Sequence, residues 1–146
     1  MIEDYRKYAP AVVRIGLALV FLWFGVSQLV APESFLGYVP SWIYSNSVGM
    51  QHAHSLQLLH GVSGLAHWLI MGNGIFETVF GLLLLAGFFV RLSALLLFLH
   101  LVVIAFSLGY NDAAVRDVGL AVATFSVFLN GSDRFCLAYI VKDTSF

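Results

Sequence analysis

Four apolar runs divide this chain, and they restrict it to one kind of fold. They cover about residues 9–30, 65–90, 92–108 and 113–129. A helix needs about 20 residues, at about 1.5 Å each, to cross roughly 30 Å of hydrocarbon. The first two runs meet that length, and the last two fall slightly short of it. The surface such a chain can build is equally restricted. It is 60% hydrophobic and only 10% charged, where soluble domains carry roughly 25% charged residues. So few charges cannot cover a soluble surface, but they suit one wetted by lipid. The fold expected is therefore all-α: an integral membrane, antiparallel four-helix bundle, with residues 1–146 as a single domain. A net charge of −1 gives no reason to expect a nucleic-acid partner. Cys136 is the single cysteine, so neither an intrachain disulfide nor a metal site of several thiolates from one chain is possible. The opening MIEDYRKYAP carries acidic residues and runs into apolar sequence with no small-residue cleavage site, which reads as a retained first span.

Turn residues set the topology. Pro32 stops the first run, a residue or two around Arg91 joins the second to the third, Gly109-Tyr110-Asn111-Asp112 joins the third to the fourth, and Asn130-Gly131 ends the fourth. Such short links force antiparallel hairpins. Cytoplasmic loops are enriched in Lys and Arg. Arg6, Lys7, Arg14, Arg91, Arg134 and Lys142 fall on one side of a four-span arrangement and only Arg116 on the other. This places both termini in the cytoplasm of a cell-membrane protein and residues 32–64 outside. That outer segment contains Phe35, Tyr38, Trp42 and Tyr44 and no Lys or Arg. It is expected to be structured, lying on the interface or folding over the mouth of the bundle.

Two ionisable residues sit near the middle of the runs. Glu77 and His100 each lie near the middle of their helices, where a charge costs roughly 2.5–3.5 kcal/mol on insertion scales. A tight hairpin lets the two face each other with coupled protonation. They are the candidate catalytic pair, able to exchange protons with a reducible carbonyl such as a quinone. The structural alternative is an interhelical hydrogen bond with Glu77 protonated.

Other polar residues are candidates for binding a substrate or anion. Arg14 either snorkels to the headgroups or partners Glu77 or an anionic ligand. Arg91 reads as a helix terminator at the inner surface. Arg116 breaks the charge pattern and, with Tyr110, Asn111 and Asp112, forms an outer polar cluster able to grip an oxyanion. Asp117 suits a first helical turn and is equally able to clamp Arg116. Gln28, near the outer end of the first helix, can reach the same cluster, while Trp23-Phe24-Gly25 reads as packing. Four histidines, His52, His54, His60 and His67, are outside or near the mouth. They show no HExxH or Cys–His spacing, and no metal is assigned.

Several pieces together carry a resemblance. They are Arg14 with Phe21-Leu22-Trp23-Phe24-Gly25-Val26-Ser27, Pro32, Gly37-Tyr38-Val39-Pro40, Glu77 with Gly81-Leu82-Leu83-Leu84, Arg91, the 109–112 turn and Ala114-Val115-Arg116-Asp117-Val118-Gly119-Leu120. In order and spacing they resemble the DoxX family, within the DoxX/DoxD-like four-helix membrane proteins. That group includes the membrane subunit of thiosulfate:quinone oxidoreductase, and other members are linked to redox homeostasis. The resemblance implies that Arg14, Glu77, Arg116 and Asp117 are the recurring polar residues.

The functional expectation is a redox-associated, quinone-linked oxidoreductase component, with a sulfur oxyanion as one electron source. No haem, flavin or iron–sulfur motif stands in the chain, so the donor side calls for a partner. The alternative is a noncatalytic structural or assembly subunit of a larger membrane complex. The partners expected are the lipid bilayer, a quinone, and either further copies of the chain or a membrane complex. Transport would need an oligomer, because four short helices enclose little space.

Overall fold

The computed structural model describes residues 5, 7–40, 43, 56–133 and 135–137, with side chains described for all of these except 56–63. Among the described residues the regular structure is entirely helical. Helix α1 spans Ala9–Val30, a 3-10 helix spans Pro32–Tyr38, and α2 spans Leu56–Ala86. Helices α3 and α4 span Val90–Leu108 and Asp112–Asn130. Among the described residues three helical stretches are long and apolar enough to cross a membrane: Ala9–Val30, Gly64–Ala86 and Val90–Leu108. Helix α4 carries Asp112, Arg116 and Asp117 within its first turns and is not among them.

Local chemistry explains the boundaries. Pro10 occupies the first turn of α1, where its missing N–H costs nothing, and Pro32 prevents α1 from continuing. Helix α2 ends at Ala86 because Gly87 takes φ +75°, a conformation that side chains disfavour. A Cβ there would also lie 2.6 Å from the Cys136 backbone. The turn is thus Gly87 to Phe89, and α2 stops four residues earlier than the apolar pattern suggested. Arg91 consequently lies in the first turn of α3 and does not terminate a helix. At α4, the Asn111 side chain accepts from the Ala114 N–H at 2.8 Å and donates to the Leu108 carbonyl at 3.1 Å, a side-chain cap.

Contacts fix the directions of the helices. Arg14, near the start of α1, reaches Leu84 and Leu85 near the end of α2, so α1 and α2 run antiparallel. Arg91 of α3 lies against Gly131 beyond α4, and Phe98 meets Phe125 with centroids 5.0 Å apart. Leu17, Ala18 and Phe21 of α1 join Leu84, Leu97, Leu101, Ala121 and Val127 in one core cluster. The outward faces are as apolar as the core: Trp23, Val30, Trp68, Phe106 and Val122 are all exposed. Between lipid-facing helices, association rests on close packing of small residues. Gly25 and Gly74 supply it where α1 crosses α2.

The end where α1 begins, here the base, is closed by a buried ion pair. Arg14 is only 1% exposed, and its Nε donates to Asp133 Oδ2 at 2.7 Å. Its Nη1 donates to the carbonyls of Leu84 and Leu85 at 2.7 and 2.8 Å, in the last turn of α2. Tyr8 and Phe135 rings lie 5.6 Å apart beside it. Burial alone would raise the Asp133 carboxyl. Hydrogen bonds from Arg14 and the Phe135 N–H, with the Arg14 charge, bring it below its ordinary value of 3.8. A carboxyl lowered on folding stabilises the fold above its unfolded value and ceases to do so as pH falls through its folded value. Acid unfolding of the wild type should therefore show a stability loss below about pH 4 that Asp133→Asn flattens. Identical acid limbs would contradict this. Cys136 is fully buried in the same place, and burial pushes its thiol up. A maleimide should leave the folded protein unlabelled and react stoichiometrically after denaturation. Rapid labelling of folded protein would show that the base opens.

Candidate polar cavity

At the other end, the mouth, α1 to α4 and the 3-10 segment enclose a cavity of about 280 Å³. Its walls are apolar, with Val20, Phe21 and Phe24 from α1, Leu69 and Ile70 from α2, and Leu101 and Ile104 from α3. Phe35, Tyr38, Val39, Pro40 and Ile43 form its roof, so this part of the outer segment folds over the mouth. Trp42, Tyr44, His52 and His54 lie outside the described residues, as do Arg6, Arg134, Lys142 and the His60 side chain.

The floor is a carboxylate held by two amides. Gln28 Nε2 donates to Glu77 Oε2 at 3.2 Å, and Asn73 Nδ2 donates to Glu77 Oε1 at 3.1 Å. Asn73 Nδ2 also donates to Gln28 Oε1 at 2.7 Å. Asn73 and Glu77 are four residues apart, hence on one helical face, and Gln28 meets them from α1. The Gly25–Gly74 crossing makes this meeting possible by bringing the two backbones together just beside the amides. Both carboxylate oxygens therefore have donors, as a buried carboxylate requires.

His100 stands behind the floor and does not line the cavity. Its Nε2 is 3.8 Å from Glu77 Oε1, too long for a hydrogen bond, and is buried without a hydrogen-bond partner. The ring instead packs at a tilt against Phe76, with centroids 4.5 Å apart. Glu77 thus lies between the cavity and a buried histidine nitrogen that has no hydrogen-bond partner.

Arg116 and Asp117 form the fourth side. Arg116 Nε and Nη2 each lie 2.9 Å from Asp117 Oδ1, and the guanidinium sits 4.9 Å from the centre of the Phe24 ring, a cation–π contact. Both residues line the cavity that Glu77 floors. The outer cluster read from sequence is therefore divided. Asn111 spends its hydrogen bonds on capping α4 and Tyr110 is fully exposed, while Gln28 joins Glu77.

Among the candidates, Gln28, Glu77, Arg116 and Asp117 come together around one space and His100 adjoins it. Arg14 does not. It neither snorkels nor partners Glu77, because Asp133 and the α2 carbonyls occupy its guanidinium at the base. Sequence reasoning passed over Asn73 and Asp133. Asn73 carried a usable signal, an amide one helical turn before Glu77 in an apolar span. Asp133 follows the last helix, where nothing local announces a partner 119 residues away. His67 lies 3.9 Å from Glu33, with both side chains exposed. Among the described residues no group of three or more His, Cys, Asp or Glu could hold a metal ion.

Membrane-length helices with apolar exteriors around an internal, largely apolar chamber that holds a few buried polar groups define a multi-pass membrane protein. The family model for DoxX matches residues 9–109, more than half of the chain, and the protein belongs to the DoxX family. That match includes Arg14, Gln28, Glu77 and His100 and stops before Arg116 and Asp117. No curated protein and no solved structure matches the chain.

Proposed function

We propose that this protein is a quinone-linked membrane component whose cavity holds the polar ring of a quinone over Glu77. The observation that carries this reading is the amide-held carboxylate beneath an otherwise apolar chamber, with a partnerless His100 nitrogen behind it. About 280 Å³ is near the lower limit of the roughly 300–1,000 Å³ of small-molecule sites, which suits a single ring. The ring's carbonyl oxygens need donors. Gln28 keeps one amide N–H beyond the one given to Glu77, and Arg116 has donors beyond those facing Asp117. A bound quinone supplies an acceptor of two electrons and two protons. This chain's own residues bind and orient the ring, exclude water, and hold protons at the Glu77 carboxyl and His100 Nε2. Electrons come from a partner. In this reading α4 completes an antiparallel four-helix membrane bundle, and both termini face the cytoplasm of a cell membrane.

The test is titration of the purified protein with a short-tailed benzoquinone. The native chain should bind saturably. Glu77→Leu removes the acceptor that orients the Gln28 amide and one of the two acceptors of Asn73, and should weaken binding roughly tenfold or more, about 1.4 kcal/mol. Unsaturable binding to the native chain, or unchanged affinity in Glu77→Leu, would contradict the reading.

A noncatalytic subunit is the second reading, favoured by the exposed Phe106, Tyr110, Val115 and Val118 patch on α3 and α4. Co-purification with a larger enzyme at fixed stoichiometry, with Glu77→Leu leaving that enzyme's activity intact, would select it.

A further inference from the structure

The walls of the cavity are not equally closed. Val103 of α3 lines it and is nevertheless 64% exposed, and Leu69 of α2 lines it and is 46% exposed. Both belong to the seam between α2 and α3. Midway along that seam the Phe76 and His100 rings pack together, centroids 4.5 Å apart. Toward the mouth no comparable ring pair bridges them among the described residues: Ser107, one turn beyond Val103, lines the cavity and turns its hydroxyl back on the Val103 carbonyl at 2.8 Å. Helices α2 and α3 are both long and apolar enough to cross a membrane, so the outside of this seam faces hydrocarbon. The charged side of the cavity, Arg116 and Asp117, lies on α4.

We propose that the cavity opens sideways into the bilayer between Leu69 and Val103, and that its ligand is an amphiphile that arrives dissolved in the membrane. Its ring-sized polar head lies over Glu77 and its apolar tail leaves through the seam. This deepens the proposed function by naming the ligand class and its route, and it rests on that cavity being the binding site. Physical chemistry favours the route. The tail never leaves hydrocarbon, so only the head exchanges surroundings, and the volume need hold only the head. The Phe76–His100 pair is the sill that stops the head at the depth of Glu77.

The route is tested without a quinone. Protein reconstituted in phosphatidylcholine vesicles is photolysed with a trifluoromethyl-phenyl diazirine, a ring-sized apolar molecule that dissolves in the bilayer core, and adducts are mapped by mass spectrometry. Native protein should carry adducts on Ile70 and Leu101, which are buried yet line the cavity. Val103→Trp should lower those adducts at least about fivefold, roughly 1 kcal/mol by the tenfold-per-1.4 rule. Adducts on the exposed Leu99 and Phe106 report that the variant is folded and embedded. Leu69→Trp obstructs the seam from the opposite helix and should act in the same way. Adducts on Leu99 and Phe106 without any on Ile70 and Leu101 in the native protein would overturn the proposal. So would adducts on Ile70 and Leu101 that persist in both tryptophan variants, because the probe would then enter elsewhere. Failure here with saturable quinone binding sinks the route alone. Success here without quinone binding sinks the quinone reading and keeps the route.

Discussion

Asp133→Ala should destabilise the protein by roughly 3–5 kcal/mol, the cost of leaving a buried charge without its partner. The geometry supports a value in that range. Arg14 is almost fully buried, and Asp133 supplies the only carboxylate in its shell of acceptors among the described residues. The Leu84 and Leu85 carbonyls remain after the change, but neutral acceptors do not offset a guanidinium charge in apolar surroundings. The pair also ties the segment after α4 to α1 and α2, so its loss should expose Cys136 to maleimide. A double change, Arg14→Met with Asp133→Leu, removes both charges and should recover most of the loss, since an apolar pair of similar volume is often neutral or better. Unfolding in mild detergent measures all of this. A cost under about 0.5 kcal/mol, the size of an ordinary surface substitution, would show that the ion pair is not what holds the base.

Gly25→Ala should cost about 1–3 kcal/mol, as overpacking typically does, although it adds a single methyl group. That methyl would meet Thr78 N at 2.8 Å and Gly74 O at 2.9 Å. Both are backbone atoms of α2 and cannot rotate aside, so the helices must separate. Gln28, one turn further along α1, would withdraw from Glu77 with them, and ligand binding should fall alongside stability. Gly16→Ala is the control. It lies on the same helix with nothing within 4 Å of its missing Cβ, and helix propensity alone would make the change neutral or favourable. Equal effects at the two positions would mean that the close crossing of α1 and α2 is not what aligns the site.

The apolar pattern carried most of the fold, and α1 was legible to the residue because proline brackets it at both ends. Helix α2 departs from the expected span at its end, while its membrane-length stretch begins at Gly64, one residue from the expected start. Its end is decided by Gly87, whose positive φ and contact with Cys136 depend on a segment almost fifty residues away. The helix itself reaches back to Leu56, into sequence whose polar residues resemble a loop. Glu77 and His100 were legible because an ionisable group in an apolar span demands a reason. Their roles were less so. The same two residues can share a hydrogen bond or stand 3.8 Å apart with one facing a cavity, and only packing decides which. From sequence Arg14 reads either as snorkelling to the headgroups or as a partner for Glu77 or an anionic ligand. Antiparallel packing places it instead at the opposite end of α2, beside Asp133. Asn73 was available to sequence reasoning through its spacing from Glu77.

The central claim is that the Glu77 cavity holds a ring-headed molecule from the bilayer, and mass spectrometry of what leaves the gently purified protein tests it most directly. Organic extraction of native protein and of Glu77→Leu, with the co-purifying chains identified in parallel, gives the comparison. The account predicts a quinone near one per chain in the native protein, depleted in Glu77→Leu. A native protein that carries no quinone but arrives in fixed stoichiometry with a larger enzyme would contradict it, and would make the buried polar residues a matter of packing.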